Sequence, residues 1–318
     1  MPRFLVSTVS VTMMVLGAGV VSGQTFPNKP IRIVTGGVGG GLDFAARLIA
    51  PGLLSSLGQP IIVDNRGSIP APEIVARASA DGHTLIFYGS PFWLAPFMRK
   101  NVPYDPVKDF SPITLAVTAP NVLVVHSSVA ANSVKELIAL AKAQPGKLNY
   151  ASSSLGSAGH LGTELFKAMA GVNIVEIPYK GGAQVLNALI GNEVQLMLAN
   201  AGGVAPLLKS GKLKVLAVTS PQPSALLPGV PTVAASGLPG YESVTFFGVF
   251  APAKTPAAVI DRLNQEIVRV LNQPDVKERL LTAGVEVVAG TPEQLAVAVK
   301  SEMAALGKVI KDVGIRAE

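Results

Sequence analysis

Five glycines in the six positions from Gly36 to Gly41 separate a strand from a helix near the start of the chain, and few folds can use such a junction. Ile31, Ile33 and Val34 read as a buried strand. Gly36, Gly37, Gly39, Gly40 and Gly41 forbid regular structure, and Asp43 then opens an apolar-periodic helix through Ala45, Leu48 and Ile49. At such a turn the first N–H groups of the helix are unpaired and the positive end of its dipole faces outward, so an anion can be held without a charged side chain. Two nucleotide patterns fail here. G-x-G-x-x-G places Leu42 or Phe44 in the last glycine slot, and none of the Gly-Lys pairs at 146, 211 and 307 is followed by a hydroxyl residue, as a P-loop needs.

The chain has 318 residues, 49% of them hydrophobic and 14% charged, enough apolar material for two lobes. Residues 1–23 carry Arg3, an apolar run to Val21 and a small-residue end, which reads as a cleaved secretory signal peptide. The run is short and broken by Ser7, Thr8, Ser10 and Thr12, against a membrane anchor. With no cysteine in the sequence, disulfides, lipid attachment to a thiol, thiol catalysis and thiolate metal sites are all excluded. The net charge of +6 falls to about +5 without Arg3, and its cations are scattered singly. That pattern argues against nucleic acid and is compatible with a mild attraction for small anions.

Strands and helices alternate along the chain. Strands are expected at Pro60–Val63, Thr84–Tyr88, Val122–Val125, Leu148–Ala151, Asn173–Ile177, Val194–Leu198, Lys214–Thr219 and Val244–Val249. A helix is expected over 72–78, another behind the capping box Ser133-x-x-Glu136, and further ones at His160–Ala170 and Ala183–Ile190. Three more open at Thr255–Pro256, Gln273–Pro274 and Thr291–Pro292, with the threonines as N-caps. Pro51 should kink or end the first helix. This spacing predicts an α/β fold with mostly parallel sheets, whose sites lie at the carboxyl ends of strands. The candidates are the glycine turn, the turn at Gly89–Phe92 and the small-residue turn Ser152–Gly159. The stretches 101–120 and 221–239 are proline-rich and aperiodic, and read as two connections. They divide the chain into lobe 1 (24–121 and 226–318) and lobe 2 (122–225), with a cleft between.

Six motifs in order now resemble one family. They are IRIV from Ile31 with its glycine loop and Asp43, YDPVKDFSPIT from Tyr104, NYASSSLGSAGHLGTELFKAMAG from Asn149, IPYKGGAQ from Ile177, KLKVLAVTS from Lys212 and LPGVPTVAASGLPGYE from Leu227. Together they resemble the Bug-type substrate-binding receptors of tripartite tricarboxylate transporters over nearly the whole chain after residue 23. The resemblance implies a type II periplasmic binding protein that closes on a small mono- or dicarboxylate and delivers it to a membrane permease of one large and one small subunit. It implies a monomer with no cofactor and no metal. The implied contacts are backbone N–H groups of Gly37, Val38, Gly39, Gly40 and Asp43 in one lobe and Ser152, Ser153, Gly156, Ser157 and His160 in the other, with Asn200 facing them. Three departures surround that site: Thr35, Gly36 and Val38 replace the family's Pro-Phe and later proline, the loop after Asn65–Arg66 is shorter, and Ala199 replaces an aspartate.

The residues themselves add Ser90 and Phe92 at the end of a strand, and Lys180 as the one cation beside a glycine turn. Phe92 and Trp93 could wall the cleft or pack in the core. Three histidines, His83, His126 and His160, make a histidine metal centre improbable. A serine–histidine pair at Ser153, Ser154, Ser157 and His160 is disfavoured against a cluster of donors at a helix start, and G-x-S-x-G fails at Leu155. A receptor is therefore expected rather than an enzyme, with a ligand sensor for a signalling partner as the alternative.

Overall fold

The computed structural model describes residues 26–38, 41–153, 155–179 and 181–316. The expected leader, Gly39, Gly40 and Lys180 lie outside the described residues. Lobe 1 begins with β1 (Ile31–Thr35), α1 (Gly41–Leu57), β2 (Ile61–Asn65), α2 (Pro70–Ala76), β3 (Thr84–Gly89) and α3 (Ser90–Met98). The long strand β4 (Phe110–His126) leaves it for lobe 2, which contains α4 (Val134–Ala143), β5 (Asn149–Ser152), α5 (Ala158–Ala170), β6 (Val175–Pro178), α6 (Gly182–Ile190), β7 (Leu196–Asn200), α7 (Ala201–Val204) and β8 (Leu213–Val218). The chain returns to lobe 1 as β9 (Val244–Pro252), α8 (Ala257–Leu271), α9 (Pro274–Thr282), β10 (Glu286–Val287) and α10 (Pro292–Val313).

The strand order β2-β1-β3-β9-β4-β7-β5-β6 runs continuously through both lobes, with β8 and β10 also on β4. The outer strands pair in parallel, β2 and β3 on β1 and β6 and β7 on β5, as βαβ units require. The middle is antiparallel: β9 pairs β3 and β4, and β4 pairs β7 and β8. Each lobe is therefore mixed, parallel where helices cross over and antiparallel where the lobes join.

Residues 110–120, expected as part of a connection, form the first half of β4. Proline is tolerated because neither residue breaks a ladder: Pro112 sits at a bulge against β9, and Pro120 is the last residue to pair with β9 before Asn121 begins to pair with β7. The return crossing also differs in place. Residues 227–241 lie against lobe 2, where Val218 bridges Thr232, Tyr241 Oη donates to Gly162 O at 2.9 Å, and a Cβ on Gly237 would meet the Lys135 backbone at 3.3 Å. The chain re-enters the lobe 1 sheet at Val244, not at 226.

Other local expectations are revised for visible reasons. Pro51 lies inside α1, which continues to Leu57 because Leu53 and Leu57 are buried and Gly52 packs directly on Val270 of α8. Gly89 is followed by helix rather than a turn; SPFWLAPFM is apolar on every side and buries Phe92, Trp93, Leu94 and Ala95. Thr255 does not cap α8, since its hydroxyl donates back to Pro252 O, whereas Thr291 forms a full capping box with Gln294.

One core of lobe 1 packs α1, α8 and α9 on one sheet face, and one core of lobe 2 packs α6 on the opposite side. A third runs through both lobes, joining α2, α3 and α10 to α4 and α5. Its centre is aromatic: Trp93 stacks on Phe246 at 4.9 Å, and Phe92 meets Phe110 and Phe250 edge-on at 4.6 and 5.3 Å. The carboxyl of Glu302 on α10 enters this core and accepts from Ser90 Oγ at 2.8 Å and Trp93 Nε1 at 2.5 Å.

Burial, reinforced by the nearby charge of Glu242 and opposed by those two hydrogen bonds, raises the Glu302 carboxyl from 4.5 to about 7. The folded chain therefore holds this proton more tightly than the unfolded chain, so its stabilising contribution is complete below pH 4.5 and is lost as pH rises through about 7. Urea unfolding at pH 5 and pH 8 should show a loss on the order of 2 kcal/mol that shrinks in Glu302→Gln. Equal pH dependence in the two proteins would show that this carboxyl does not retain the proton.

Candidate functional site

The partner exchange along β4 brings the carboxyl ends of the two lobes together. Gly89, at the end of β3, pairs with Phe247, which pairs on its other side with Val117 of β4. Asn200, at the end of β7, pairs with Asn121. Only four residues of β4 separate these levels, about 13 Å at ~3.3 Å per residue. Because β7 runs antiparallel to β4 whereas β3 shares its direction, the parallel strands of the two lobes end pointing toward one another.

The lobe 1 corner is the turn from Thr35 into α1. Thr35 Oγ1 donates to Phe87 O at 3.0 Å and fixes the strand end. Val38 is 80% exposed, and a Cβ on Gly37 would meet nothing within 4 Å, so the turn presents open backbone. Asp43 is buried, and its Oδ1 accepts from Arg47 Nε and Asn65 Nδ2, both at 2.8 Å. Asn65 also donates to Gly36 O at 2.7 Å and accepts from Arg47. Asp43, Arg47 and Asn65 thus brace the loop, and the first turn of α1, like any helix start, has N–H groups without intrahelical partners.

The lobe 2 corner runs from Ser152 into α5. Ser157 caps the helix by accepting from His160 N, and His160 Nδ1 accepts from Gly156 N at 2.9 Å. Nε2 faces Glu176 Oε2 at 3.5 Å, while Glu176 Oε1 accepts from Ser152 Oγ at 2.5 Å. Burial holds the imidazole below its ordinary 6.5, against the pull of Glu176 and Glu164, so His160 is neutral with its proton on Nε2. Beneath it Tyr150 stacks on the ring and donates to Glu164 at 2.6 Å; burial and that carboxylate push the phenol up. Gly156 N and His160 thus belong to the frame of the loop, and both ring nitrogens already have partners. The N–H groups of Ala158 and Gly159 face the open end of the helix, as at any helix start.

The remaining predicted residues divide. Ser152 is buried on Glu176, Ser153 is half-buried in the turn, and Asn200 is exposed with Oδ1 accepting from Gly202 N at 2.9 Å. Ser90 is tied to Glu302, and Phe92 is fully buried in the aromatic core, so neither presents a surface to the cleft. Asn65, Glu176 and Tyr150 escape sequence reasoning because their partners are brought to them only by folding, whereas Arg47 stands four residues after Asp43 on one helix, a spacing that could have found it. Asn121 lies at the junction itself, buried, with Nδ2 unpartnered among the described residues. Among those residues, no group of three His, Cys, Asp or Glu side chains is placed to hold a metal, and no helix is long and apolar enough to cross a membrane.

Comparison with known proteins places this architecture. Residues 45–315 match the TctC family, described as the tripartite tricarboxylate transporter family receptor. BugT of Bordetella pertussis is 34% identical over 305 residues, covering 94% of each chain. Among solved structures, R. palustris Rpa4515 with adipate superimposes with a TM-score of 0.70 at 36% identity, covering 92% of this chain and 99% of its own. MatC from Rhodopseudomonas palustris with bound malate gives 0.69 at 30% identity, covering 90% and 100%. A mixed α/β chain with strand ends opposed across a shared strand, matched over most of its length by these receptors, belongs to the Bug-type, tripartite tricarboxylate transporter receptor family of periplasmic solute-binding proteins, and is a binding protein rather than an enzyme.

Proposed function

We propose that this protein is an exported receptor that captures a small mono- or dicarboxylate between its lobes and delivers it to a tripartite tricarboxylate-type permease with a large and a small membrane subunit. The observation that carries this reading is the opposition of two strand ends, each leading into a helix start, across residues 117–121 of β4. The adipate and malate complexes of the two R. palustris relatives support the ligand class.

In this reading the backbone from Gly37 through Gly39 and Gly40 to the start of α1 takes one end of the ligand. The turn from Ser153 to the start of α5 takes the other, with Asn200 beside it and Lys180 as a long-range attraction. Neutral amide donors suit the task. Their desolvation costs less than that of a buried lysine, and they bind an anion more strongly once water is excluded. The ligand touches both lobes only when they approach, so it binds the closed arrangement better and shifts the population toward it. The permease then recognises that arrangement. Residues 1–23 would act as the export signal and be removed.

Titration of the purified protein with adipate, malate and shorter monocarboxylates should raise its thermal midpoint, corresponding to about 2.7 kcal/mol when ligand stands a hundredfold above its Kd. No response from any of these acids would refute the reading. Ala158→Pro deletes one helix-start N–H where proline fits, since Ser157 is already extended at ψ 158°. This variant should keep the ligand-free midpoint and bind roughly ten- to a hundredfold more weakly, and unchanged affinity would remove the second corner from the site.

A further inference from the structure

A groove of about 730 Å³ lies between the C-terminal ends of α3 and α10. Four cations line it, Arg99, Lys100, Lys311 and Arg316, and no acidic side chain does. Its floor is apolar, from Phe97 and Ile310, with Lys311 Nζ 5.5 Å above the Phe97 ring. Cations near helix ends ordinarily offset the dipole, and Lys311 in the last turn of α10 does so. Lys100 and Arg316 lie beyond the helices, and neither they nor Lys311 forms an ion pair among the described residues. Gathering like charges around an apolar floor raises the local positive potential.

The position of the groove gives it a use. Met98, at the end of α3 and part of the groove wall, touches the lobe 2 corner: a Cβ on Gly156 would lie 2.8 Å from its sulphur. Gly156 is held at φ +75° in the turn that His160 frames. Helix α10 packs on both α3 and α5. The groove therefore belongs to lobe 1, and through Met98 its wall is in contact with the Gly156 turn of lobe 2. A partner that distinguishes loaded from empty receptor must contact a surface that depends on how the lobes meet.

We propose that this groove docks an acidic peptide segment bearing apolar side chains, carried by the protein that accepts the ligand. The role of that partner rests on the receptor reading above, whereas the docking itself follows from the charge and shape of the groove. Carboxylates of the segment meet the cations, and an apolar side chain covers Phe97 and Ile310.

Fluorescence anisotropy of a fluorescein-labelled peptide of alternating aspartate and leucine tests this on the purified protein. Saturable binding is expected that weakens at least tenfold when salt rises from about 50 to about 300 mM, and at least tenfold in Lys100→Glu/Lys311→Glu. A lysine–leucine peptide of equal length should not bind. Equal binding of the two peptides, or full affinity in the double variant, would overturn the proposal. Binding of phosphatidylglycerol vesicles through the same two lysines, with no peptide binding, would overturn it in favour of a lipid surface. Lys100→Gln/Lys311→Gln replaces the charge reversal if the latter lowers the thermal midpoint. The adipate-induced shift, measured in parallel, reads the carboxylate site alone, so failure of the groove and failure of the receptor reading are seen separately.

Discussion

A single strand that changes partners halfway along its length determines the rest of this molecule. Up to Pro120, β4 belongs to the sheet of lobe 1; from Asn121 it belongs to that of lobe 2. Backbone hydrogen bonding leaves little freedom at this point, because every ladder N–H and C=O must find a partner and proline offers no N–H to lose. The exchange is therefore placed where the chain can make it at least cost. Once it is placed, the direction of each strand is fixed, and the ends of β3 and β7 must face each other.

The two corners stand on the neighbouring parallel strands, β1 beside β3 and β5 beside β7, and follow the same physical plan. Each contains an acidic side chain that could repel an anion, Asp43 in one and Glu176 in the other, and each acid is answered from within the protein. Asp43 is held by Arg47 and Asn65, and Glu176 by Ser152 and the Nε2 face of His160. At the first corner the Arg47 cation offsets the charge of Asp43, at the second Glu176 is held by hydrogen bonds from neutral groups, and each helix start adds about half a unit of positive charge spread over its orphan N–H groups. The side chains at both corners are spent on positioning the backbone.

The parts of this plan that were legible in the sequence are those written locally. The helix opening around Asp43, the capping serine Ser133 before α4 and the alternation of strand and helix each have a signature of a few residues, and the structure contains all of them. Strand β4 was hidden because its four-proline neighbourhood reads as loop, and only pairing with β9 and β7 shows that Pro112 and Pro120 fall where no ladder bond is needed. Helix α3 was hidden because its sequence is apolar on every side, which erases the 3.6-residue polarity that marks a helix. The brace of Asn65 on Gly36 and Asp43 spans 29 and 22 residues, and such pairings exist only after folding. Ser90 and Phe92 stand at a strand end, where ligand contacts are expected, yet both turn inward because α3 begins at once and draws them into the core.

That inward turn has a consequence for how the lobes communicate. Ser90 and Trp93 are tied to Glu302 on α10, α10 rests on α3 and α5, and Met98 at the far end of α3 touches the turn at Gly156. A displacement of the lobe 2 corner therefore meets a packed helix rather than solvent, and close-packed interiors pass strain to their neighbours instead of absorbing it. The third core, shared by both lobes, makes α3 and α10 one body with the floor of lobe 1. The two covalent links between the lobes, β4 around Pro120 and the return crossing before Val244, run alongside this core, and Tyr241 of the crossing is itself buried in it and bonded to Gly162. The strand that opposes the two sets of strand ends is thus accompanied along its length by side-chain packing that both lobes share.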